Sequence, residues 1–385
     1  MKITSLTSCT GCSACYSVCV KSAITMTENS EGFLYPRIDA SKCIECGKCE
    51  KVCPILHTEQ AHKPLNVYAA INPNEAIRRE SSSGGIFTML AEFILDKGGV
   101  VFGARFNEQW EVVHDYTETK DGLAPFRGSK YVQSNVGETF QQAKAFLSQG
   151  RKVMYTGTPC QIAGLRRFLG KEYGNLLTVD VVCHGVPSPL VWRDYLRSVT
   201  SNKIEQITSV KFREKSTGWK NYSVKICGQE GNPFVNEPYR QNLFMQLFLK
   251  DFCLRPSCHT CPAKSGKSGS DLTIADYWGI NRILPHMDDD KGTNLVIIHT
   301  NKGNMAYSDL SINSMESTYE QAIRFNPAIE KSCVEPQKRI NFWQLYSSKK
   351  TGAIVEILEK LKPNFFERVL HIVKRLLKSL INSFK

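Results

Sequence analysis

Two copies of one cysteine spacing occupy the first 60 residues of the chain. Each copy holds four cysteines separated by two, two and three residues, and Pro54 follows the second copy. The eight cysteines are Cys9, Cys12, Cys15, Cys19, Cys43, Cys46, Cys49 and Cys53. Three thiolates at three-residue steps can bind three corners of an iron-sulfur cubane from one loop, and the fourth thiolate comes from elsewhere. The spacing therefore predicts two [4Fe-4S] clusters in a small ferredoxin-like domain.

The last cysteine of each run is predicted to bind the cluster of the other run, because this exchange accompanies the same spacing in two-cluster ferredoxins. The first ferredoxin set is therefore Cys9, Cys12, Cys15 and Cys53. The second ferredoxin set is Cys19, Cys43, Cys46 and Cys49. Zinc is the alternative metal, but zinc sites favour two Cys-x2-Cys pairs held apart by a longer loop. The doubled spacing thus indicates a protein that moves electrons.

Composition favours a globular protein and argues against nucleic-acid binding. The chain has 385 residues, of which 42% are hydrophobic, enough for two or three globular domains. The formal net charge of +12 is largely offset if clusters bind, since an oxidised cubane with its four thiolates carries about −2. No basic stretch is interleaved with base-stacking aromatics, so nucleic acid is not an expected partner.

The expected location is the cytoplasm. The cluster motif begins at Cys9, which leaves no room for a signal peptide, and no run of about 18 apolar residues occurs. In a reducing compartment the 15 cysteines are available as ligands rather than as disulfides.

Four segments are predicted along the chain, with an α/β fold class overall. They are a ferredoxin domain at 1–60, two parts of a mixed, partly parallel α/β core at 64–147 and 148–345, and a helical tail at 346–385. The strand-like runs 152–155 and 176–182 alternate with the helix-like runs 162–169 and 189–199, which predicts a βαβα unit with parallel strands. The chain after His299 is expected to be irregular to about residue 348.

Four further cysteines are candidates for a third site. Cys160 and Cys183 each follow a strand of the βαβα unit, so their loops should open at one edge of the sheet. Cys258 and Cys261 form a Cys-x2-Cys pair that would complete a four-thiolate site. A third [4Fe-4S] cluster is favoured; a zinc site, a redox pair or buried core cysteines are the alternatives.

Three cysteines are left over. Cys253 lies five residues before Cys258 and is the main rival for the fourth ligand position. Cys227 and Cys333 are expected in the hydrophobic core.

Six motifs, with the doubled cysteine runs, resemble the family of coenzyme F-420 hydrogenase/dehydrogenase beta subunits with a ferredoxin fused at the N-terminus. They are Ser82-Ser83-Gly84-Gly85-Ile86, Gly128-Ser129-Lys130-Tyr131, Gly157-Thr158-Pro159-Cys160-Gln161, Cys183-His184-Gly185, Cys258 with Cys261, and Ala275-Asp276-Tyr277-Trp278-Gly279. The resemblance covers about residues 1–340. It implies an iron-sulfur flavoprotein core that binds one FAD beside one [4Fe-4S] cluster. The implied cluster ligands, called the core set below, are Cys160, Cys183, Cys258 and Cys261.

Two departures from the family pattern bear on the substrate. Val20 replaces the proline that usually follows the first cysteine run, and the chain contains no hydrogenase or formate dehydrogenase subunit. Relatives with this fused layout often lie near surface-polysaccharide genes. The resemblance therefore implies a sugar-linked or other unassigned substrate rather than coenzyme F-420 itself.

The resemblance also implies where the flavin binds. The candidate residues are Ser82, Ser83, Gly84, Gly85, Arg127, Ser129, Lys130, Tyr131, Asp276 and Trp278. The serine-glycine segment precedes an amphipathic stretch, and hydroxyls and free amides at a helix N-terminus attract a diphosphate. Arg127 and Lys130 flank Gly128-Ser129 in a segment called the basic loop below. This loop suits a phosphate, the flavin pyrimidine edge or an acidic substrate. A capped turn, a solvated loop and a core aromatic pair are the alternatives.

His184 is the candidate catalytic residue, as a proton donor beside Cys183. Its alternative role is a hydrogen bond to the backbone.

The tail carries an amphipathic pattern. Paired apolar residues recur at three- to four-residue steps from Phe365 to Phe384, which predicts a helix. Its polar face carries the charged residues Arg368, Lys374, Arg375, Lys378 and Lys385 against Glu367. This charge pattern is typical of peripheral contact with an anionic membrane. Docking on the chain's own domain or on a second subunit of an oligomer is the alternative.

The predicted function is electron transfer between [4Fe-4S] clusters and FAD, in an oxidoreductase acting on a small molecule or with a redox partner protein. One rival is a non-catalytic electron-relay subunit of a partner enzyme. The other is a membrane-surface interaction protein whose clusters are structural.

Overall fold

The computed structural model of the chain describes residue 3, residues 7–348 and residues 354–361. The predicted amphipathic helix from Phe365 to Phe384 lies outside these residues. Within the described ranges, no helix combines the length and the apolar character needed to cross a bilayer.

Thirteen strands are present in the described residues. They are β1 (Ile24–Glu28), β2 (Leu34–Ile38), β3 (Asn66–Ile71), β4 (Val100–Phe106), β5 (Val112–Thr117), β6 (Val153–Gly157), β7 (Leu176–Val181), β8 (Ser209–Glu214), β9 (Ser223–Cys227), β10 (Pro233–Pro238), β11 (Leu272–Asp276), β12 (Asn294–Ile298) and β13 (Asn313–Ser317).

Thirteen α-helices are present over the same ranges. They are α1 (Ala14–Val18), α2 (Lys48–Lys51), α3 (Glu75–Glu80), α4 (Ile86–Leu95), α5 (Thr139–Ser148), α6 (Pro159–Leu169), α7 (Pro189–Val199), α8 (Leu243–Leu249), α9 (Ile280–Ile283), α10 (Asn301–Ser308), α11 (Tyr319–Phe325), α12 (Arg339–Ser348) and α13 (Ile354–Lys360).

An eight-stranded mixed sheet forms the centre of the molecule, in the order β13-β3-β12-β11-β7-β6-β4-β5. Its central strands β11, β7, β6 and β4 are parallel, and the outer strands run antiparallel to their neighbours. Helices α4 and α10 pack on one face of the sheet, and α5 and α6 pack on the other. Coverage of both faces explains why β6 and β7 are buried at all but their last residue and are mainly apolar. The predicted α/β class and the parallel β6–α6–β7 unit are therefore confirmed.

The ferredoxin domain repeats its cysteine loop at the level of the backbone. Gly11 and Glu45, just before the second cysteine of each run, both have positive φ, at 69° and 51°. Ser13 and Gly47, just after it, have φ of 64° and 70°. Left-handed residues on both sides of a cysteine curl each loop tightly, which suits three thiols that must face one centre.

The ferredoxin domain packs on the α5–α6 face of the large sheet. Its Cys12, Ala14 and Val52 join the apolar cluster formed by that face. The tip of the β1–β2 hairpin is a second contact, because Phe33 is fully buried in the cluster that contains α7, α8 and α12. A bidentate ion pair reinforces this contact, with Arg339 donating to Glu31 at 3.0 and 2.5 Å.

Two predictions about the later chain are wrong or incomplete. The stretch from His299 to residue 348 is not irregular, since it contains α10, β13, α11 and α12. Edge strand β13 is polar and almost fully exposed, so it lacks the apolar alternation by which strands are recognised. The sequence also predicts a hairpin from the runs 211–213 and 222–227; it is present as β8 and β9, but a third strand, β10, pairs with β9.

Candidate iron-sulfur and flavin site

The second ferredoxin set lines one small cavity. All four of its thiols, Cys19, Cys43, Cys46 and Cys49, border the same space. The N–H of Ala23 donates to the Cys19 Sγ at 3.3 Å, a bond that would stabilise a thiolate there. The structure thus brings the last cysteine of the first run to three cysteines of the second.

The first ferredoxin set is crowded in the same way. Burial, followed by the neighbouring Cys9 and Cys53 thiolates, raises the pKa of Cys15 to about 12. The pKa of Cys53 is raised by burial and by Cys9. Cys53 therefore lies with the first run, and these thiols repel one another as thiolates unless cations lie between them.

The core set converges from three separate loops. Burial and the Cys261 thiolate raise the pKa of Cys160 to about 11. Burial and the thiolates of Cys160 and Cys261 raise the pKa of Cys183 to about 12. The pKa of Cys258 is also raised, mainly by burial and then by the thiolates of Cys183, Cys160 and Cys261. Four thiols that meet from three separate loops form a donor set suited to soft iron-sulfur ligation.

Local structure explains how Cys160 and Cys183 reach this site. Cys160 lies in the first turn of α6, which begins at Pro159 and is capped by Gln161, whose side chain accepts from the Thr158 N–H at 2.9 Å. Cys183 follows the end of β7, the parallel neighbour of β6. Both therefore lie at the carboxyl edge of the sheet, as the sequence predicts.

Gly185 lets the Cys183 loop approach the Cys258 turn. A methyl group at Gly185 would come within 2.7 Å of the Leu254 side chain and 3.3 Å of the Cys258 Cβ. The next N–H, from Val186, donates to the Cys258 Sγ at 3.4 Å. The glycine of the Cys-His-Gly motif is thus required by close packing.

Helix α6 also joins the core set to the first ferredoxin set. Gly164 lies one turn after Cys160, and a methyl group there would come within 2.9 Å of the Cys12 Sγ. The Cys12 thiol is buried, and its pKa is raised by burial, by Cys15 and Cys9, and then by Cys160. The two sets are therefore electrostatic neighbours across one turn of helix.

The leftover cysteines have three different surroundings. Cys253 is fully buried in the apolar cluster around α7 and α8, away from the core set, so the structure does not support it as the rival ligand. Cys227 is buried at the end of β9. Cys333 is also buried, but its Sγ lies 3.4 Å from the His259 Nδ1. Its thiolate also raises the pKa of Cys183. Cys333 thus lies beside the core set, where the sequence predicted an ordinary core residue.

The serine-glycine segment is held tightly by the sheet. The Ser83 hydroxyl donates to the Thr293 carbonyl at 2.8 Å, and Gly84 packs against the backbone of Ala70 and Asn294. Gly85 is the left-handed N-cap of α4 with φ of 86°. Of the two serines, only Ser82 meets the basic loop, since its Oγ accepts from the Ser129 N–H at 2.6 Å.

The basic loop has two cations without an ion-pair partner among the described residues: Arg127, whose Nε donates to the Thr88 hydroxyl at 3.1 Å, and Lys130. The Lys130 Nζ donates to the carbonyls of Arg127 and Gly128 at 3.0 and 3.1 Å, and no carboxylate among the described residues lies within ion-pair distance. Burial lowers the pKa of Lys130 to about 7. Nearby His114 is buried with its Nδ1 unpartnered, and burial lowers its pKa to about 4. The loop therefore holds unused donor capacity that fits an anionic ligand.

Tyr131 and the Asp276 segment belong to a network around Arg213. The Arg213 guanidinium donates to the Asp276 carboxylate at 2.7 Å and to the Tyr131 hydroxyl at 3.2 Å. Trp278 stacks on Trp219 with ring centroids 4.9 Å apart. Arg213 thus links Asp276 to Tyr131 of the basic loop, and its guanidinium carbon lies 5.2 Å from the centroid of the Trp278 ring.

His184 lies between the core set and Tyr131. Its side chain is 42% exposed, and its Nε2 is 2.5 Å from the Asp251 carboxylate, so it bonds a side chain rather than the backbone. Its ring meets Phe248 edge-on at 5.5 Å, and Phe248 stacks on Tyr131 at 4.9 Å. This geometry suits a proton carrier open to solvent.

Two basic residues near the thiols, Arg255 and Lys264, were not predicted from the sequence as part of the site. Arg255 is fully buried beside the first ferredoxin set, and Lys264 donates to the carbonyls of Cys183 and Ala328. An isolated basic residue has no spacing signature, although Arg255 precedes the Cys258 pair by only three residues.

Three family models match consecutive parts of the chain. Residues 8–55 match a 4Fe-4S dicluster domain. Residues 67–141 match the N-terminal part of the coenzyme F420 hydrogenase/dehydrogenase beta subunit, and residues 150–321 match its C-terminal part. The matches fall in the order in which the predicted segments occur.

Two proteins of methanogens are similar to this chain. One of the subunits of the F(420)H(2) dehydrogenase of Methanosarcina mazei is 25% identical over 167 residues, which cover 41% of this chain and 47% of that protein. The chain thus spans about half the length of this curated relative. A chain of the F420-reducing [NiFe] hydrogenase complex from Methanosarcina barkeri aligns with a TM-score of 0.47 and 18% identity, covering 75% of this chain and 92% of that chain.

Proposed function

Because the chain belongs to the family of coenzyme F420 hydrogenase/dehydrogenase beta subunits and carries a 4Fe-4S dicluster domain, we propose that it is a three-cluster flavoprotein oxidoreductase. In this proposal it exchanges electrons between a redox partner protein and a substrate bound at FAD. The observation that carries the proposal is the contact of Cys12 with the α6 turn that holds Cys160.

The three thiol sets would form a series. The second set lies in the outer part of the ferredoxin domain, the first set faces α6, and the core set lies at the edge of the sheet. [4Fe-4S] clusters bound by these thiolates supply one-electron transfer. The chain's own contribution is to fix the order of the three sites and to limit their contact with water, since Cys12 is buried and Cys160, Cys183 and Cys258 are only partly exposed.

FAD is proposed for the region beyond the core set. Flavin supplies the exchange between one-electron and two-electron chemistry. Lys130 would hold an anionic part of the cofactor, because its ammonium has only carbonyl partners. The Ser82–Ser129 hydrogen bond joins the serine-glycine segment to the loop that also carries Arg127 and Tyr131, and Trp278 stacks on Trp219.

His184 is proposed to carry the proton that accompanies hydride chemistry. Its exposure connects it to solvent, and its hydrogen bond to Asp251 orients its ring. The substrate, whether sugar-linked or another small molecule, stays a prediction from the family resemblance.

Anaerobic purification of the full chain tests this proposal. Iron, acid-labile sulfide and flavin are assayed per chain, and about 12 Fe with one FAD is expected. About 8 Fe without flavin would contradict it and would favour a ferredoxin-type relay.

The core ligands are tested by substitution. Cys183→Ala should lose about four irons, because three thiolates hold a cubane poorly, while the ferredoxin sets remain loaded. Cys227→Ala is the matched control, since Cys227 is a buried cysteine that neighbours none of the three sets. Full iron retention by Cys183→Ala would reject the assignment of the core set.

A further inference from the structure

Arg255 is the most deeply buried charged residue of the described chain. Its exposed fraction is 0%, and it lies in the segment that leads from Cys253 to the Cys258 turn. The N–H of Cys258 donates to the Arg255 carbonyl at 2.9 Å, so the residue belongs to the structure that positions a core ligand.

The guanidinium of Arg255 reaches across to the ferredoxin domain. Its Nε donates to the Cys9 carbonyl at 2.8 Å and its Nη2 to the Leu34 carbonyl at 3.0 Å. Its Nη1 donates to the Gln133 Oε1 at 3.0 Å, and Gln133 in turn donates to the Thr10 carbonyl at 3.0 Å. The side chain thus holds the first cysteine loop against the core through neutral acceptors only.

No carboxylate balances this charge among the residues that the structure describes, which sets Arg255 apart from the other buried arginines. Arg78 pairs with Asp289, Arg213 with Asp276 and Arg339 with Glu31. Arg255 instead faces the ring of Tyr35, with 4.1 Å from the guanidinium carbon to the ring centroid. A buried cation without a counter-ion is strongly unfavourable, so a negative charge from another source is required.

The available negative charge is that of the thiol sets. Arg255 contacts the backbone of Cys9 from the first ferredoxin set, and its charge stabilises the thiolate of Cys160 from the core set. A cubane with four thiolates is a net anion, and it becomes more negative when it accepts an electron.

We propose that Arg255 is a positioning residue whose buried charge compensates the first ferredoxin set and the core set together, raising the reduction potentials of both relative to the second set. This inference rests on the proposed function, because it needs clusters in both places. It assigns a direction to the series: electrons entering at the second set move toward the sites that Arg255 stabilises.

A redox titration of the intact, anaerobically purified protein, followed by EPR, tests the proposal. Arg255→Gln should shift two of the three cluster reductions to more negative potentials and leave the third unchanged. Arg255→Lys keeps the charge but loses the planar fork, and it should leave all three close to wild type. If Arg255 had a purely structural role, Arg255→Lys would change the cluster reduction potentials as much as Arg255→Gln does.

A second variant covers the case in which Arg255→Gln fails to bind iron. Gln133→Glu is nearly isosteric and places a carboxylate 3.0 Å from the guanidinium, so it should neutralise Arg255 and shift the same two reductions to more negative potentials. Lys120→Gln is the control for net charge, because Lys120 is a surface residue paired with Asp96, and it should shift none.

The outcomes separate the two proposals. Wild-type titration curves for both Arg255→Gln and Gln133→Glu would overturn the role of Arg255 while leaving a three-cluster protein in place. Fewer than three cluster reductions in the unmodified protein would overturn the proposed function instead.

Discussion

At the scale of single residues, Lys130 has surroundings that make its charge depend on pH near neutrality. Burial without a carboxylate lowers its pKa to about 7, whereas an ordinary lysine titrates near 10.4. An anionic ligand favours the ammonium form. Below pH 7 that form is already present in the free protein, and above pH 7 a proton must be taken up when the ligand binds.

The affinity for FAD should therefore fall as the pH rises above 7, by up to about tenfold per pH unit. Fluorescence titration of FAD into flavin-depleted protein between pH 6 and pH 9 measures this. Lys130→Gln should bind weakly at every pH, and Lys130→Arg should keep its affinity at high pH. Lys144→Gln, at an exposed helical position, is the control and should keep the wild-type pH profile. A pH-independent wild-type affinity would contradict the assignment of Lys130.

The cysteines were predictable from the sequence to different extents. The ferredoxin sets follow from spacing, because a local run of cysteines constrains local geometry. The grouping of Cys160, Cys183 and the Cys258 pair needed the parallel β6–α6–β7 unit as well. Cys333 and Arg255 could not be placed, since nothing in their own sequence neighbourhood specifies a tertiary contact.

At the scale of elements, α6 performs two tasks with one face. Its first turn presents Cys160 to the core set, and its second turn presents Gly164 to Cys12. A helix repeats every 3.6 residues, so the two positions lie above one another. Any side chain at Gly164 must push the ferredoxin domain away.

Gly164→Val should lower the free energy of unfolding by about 1–3 kcal/mol through overpacking, even though valine is a better helix former than glycine by a few tenths of a kcal/mol. The same variant should slow electron transfer from the ferredoxin domain to the core, because the two sites are driven apart. Chemical denaturation and rapid-mixing reduction kinetics measure these effects. Gly174→Val is the matched control, since a methyl group there meets no atom within 4 Å. Equal stability of the two variants would show that the contact at Cys12 is loose.

Elements with strong apolar patterns were predicted well. Helix α7 has the bounds that the sequence indicates, Pro189–Val199, because Pro189 starts it and its apolar residues recur at helical spacing. The polar elements between His299 and residue 348 were missed. Their stability comes from pairing with β3 and from packing on the sheet, which a single sequence does not display.

At the scale of the whole molecule, the ferredoxin domain is held to the core by buried polar contacts as well as by apolar packing. The Glu31–Arg339 pair is the strongest of these, because it is bidentate and Arg339 is only 6% exposed. The Ser188 hydroxyl adds a hydrogen bond to the Glu31 carbonyl at 2.5 Å.

Glu31→Gln should lower the free energy of unfolding by about 3–5 kcal/mol, because it leaves the buried Arg339 with only the exposed Glu335, 4.0 Å from its Nε, as an ionic partner. Proteolysis should then cleave the linker near residues 57–64 faster than in wild type, as the domain detaches more often. Glu118→Gln removes a surface partner of Arg151 and should change stability by less than about 1 kcal/mol. Unchanged protection of the linker in Glu31→Gln would mean that apolar packing alone holds the domain.

The relative placement of the two parts was beyond prediction from the sequence. The polar linker between them carries no orientation signal, and the contacts that set their orientation join residues far apart in the chain, such as Cys9 with Arg255 and Glu31 with Arg339. Such pairs are individually ordinary in composition. They become informative only when the fold brings them together.

The three-loop origin of the core thiols imposes an order on biogenesis. Each ferredoxin set is complete once the first 53 residues have been synthesised, whereas the core set needs β6, β7 and the Cys258 turn to be assembled first. Iron supplied during synthesis therefore meets the N-terminal sites before the last one exists. On the three-cluster proposal, a chain that lacks the core cluster would hold the two ferredoxin clusters without the proposed route from them to the flavin.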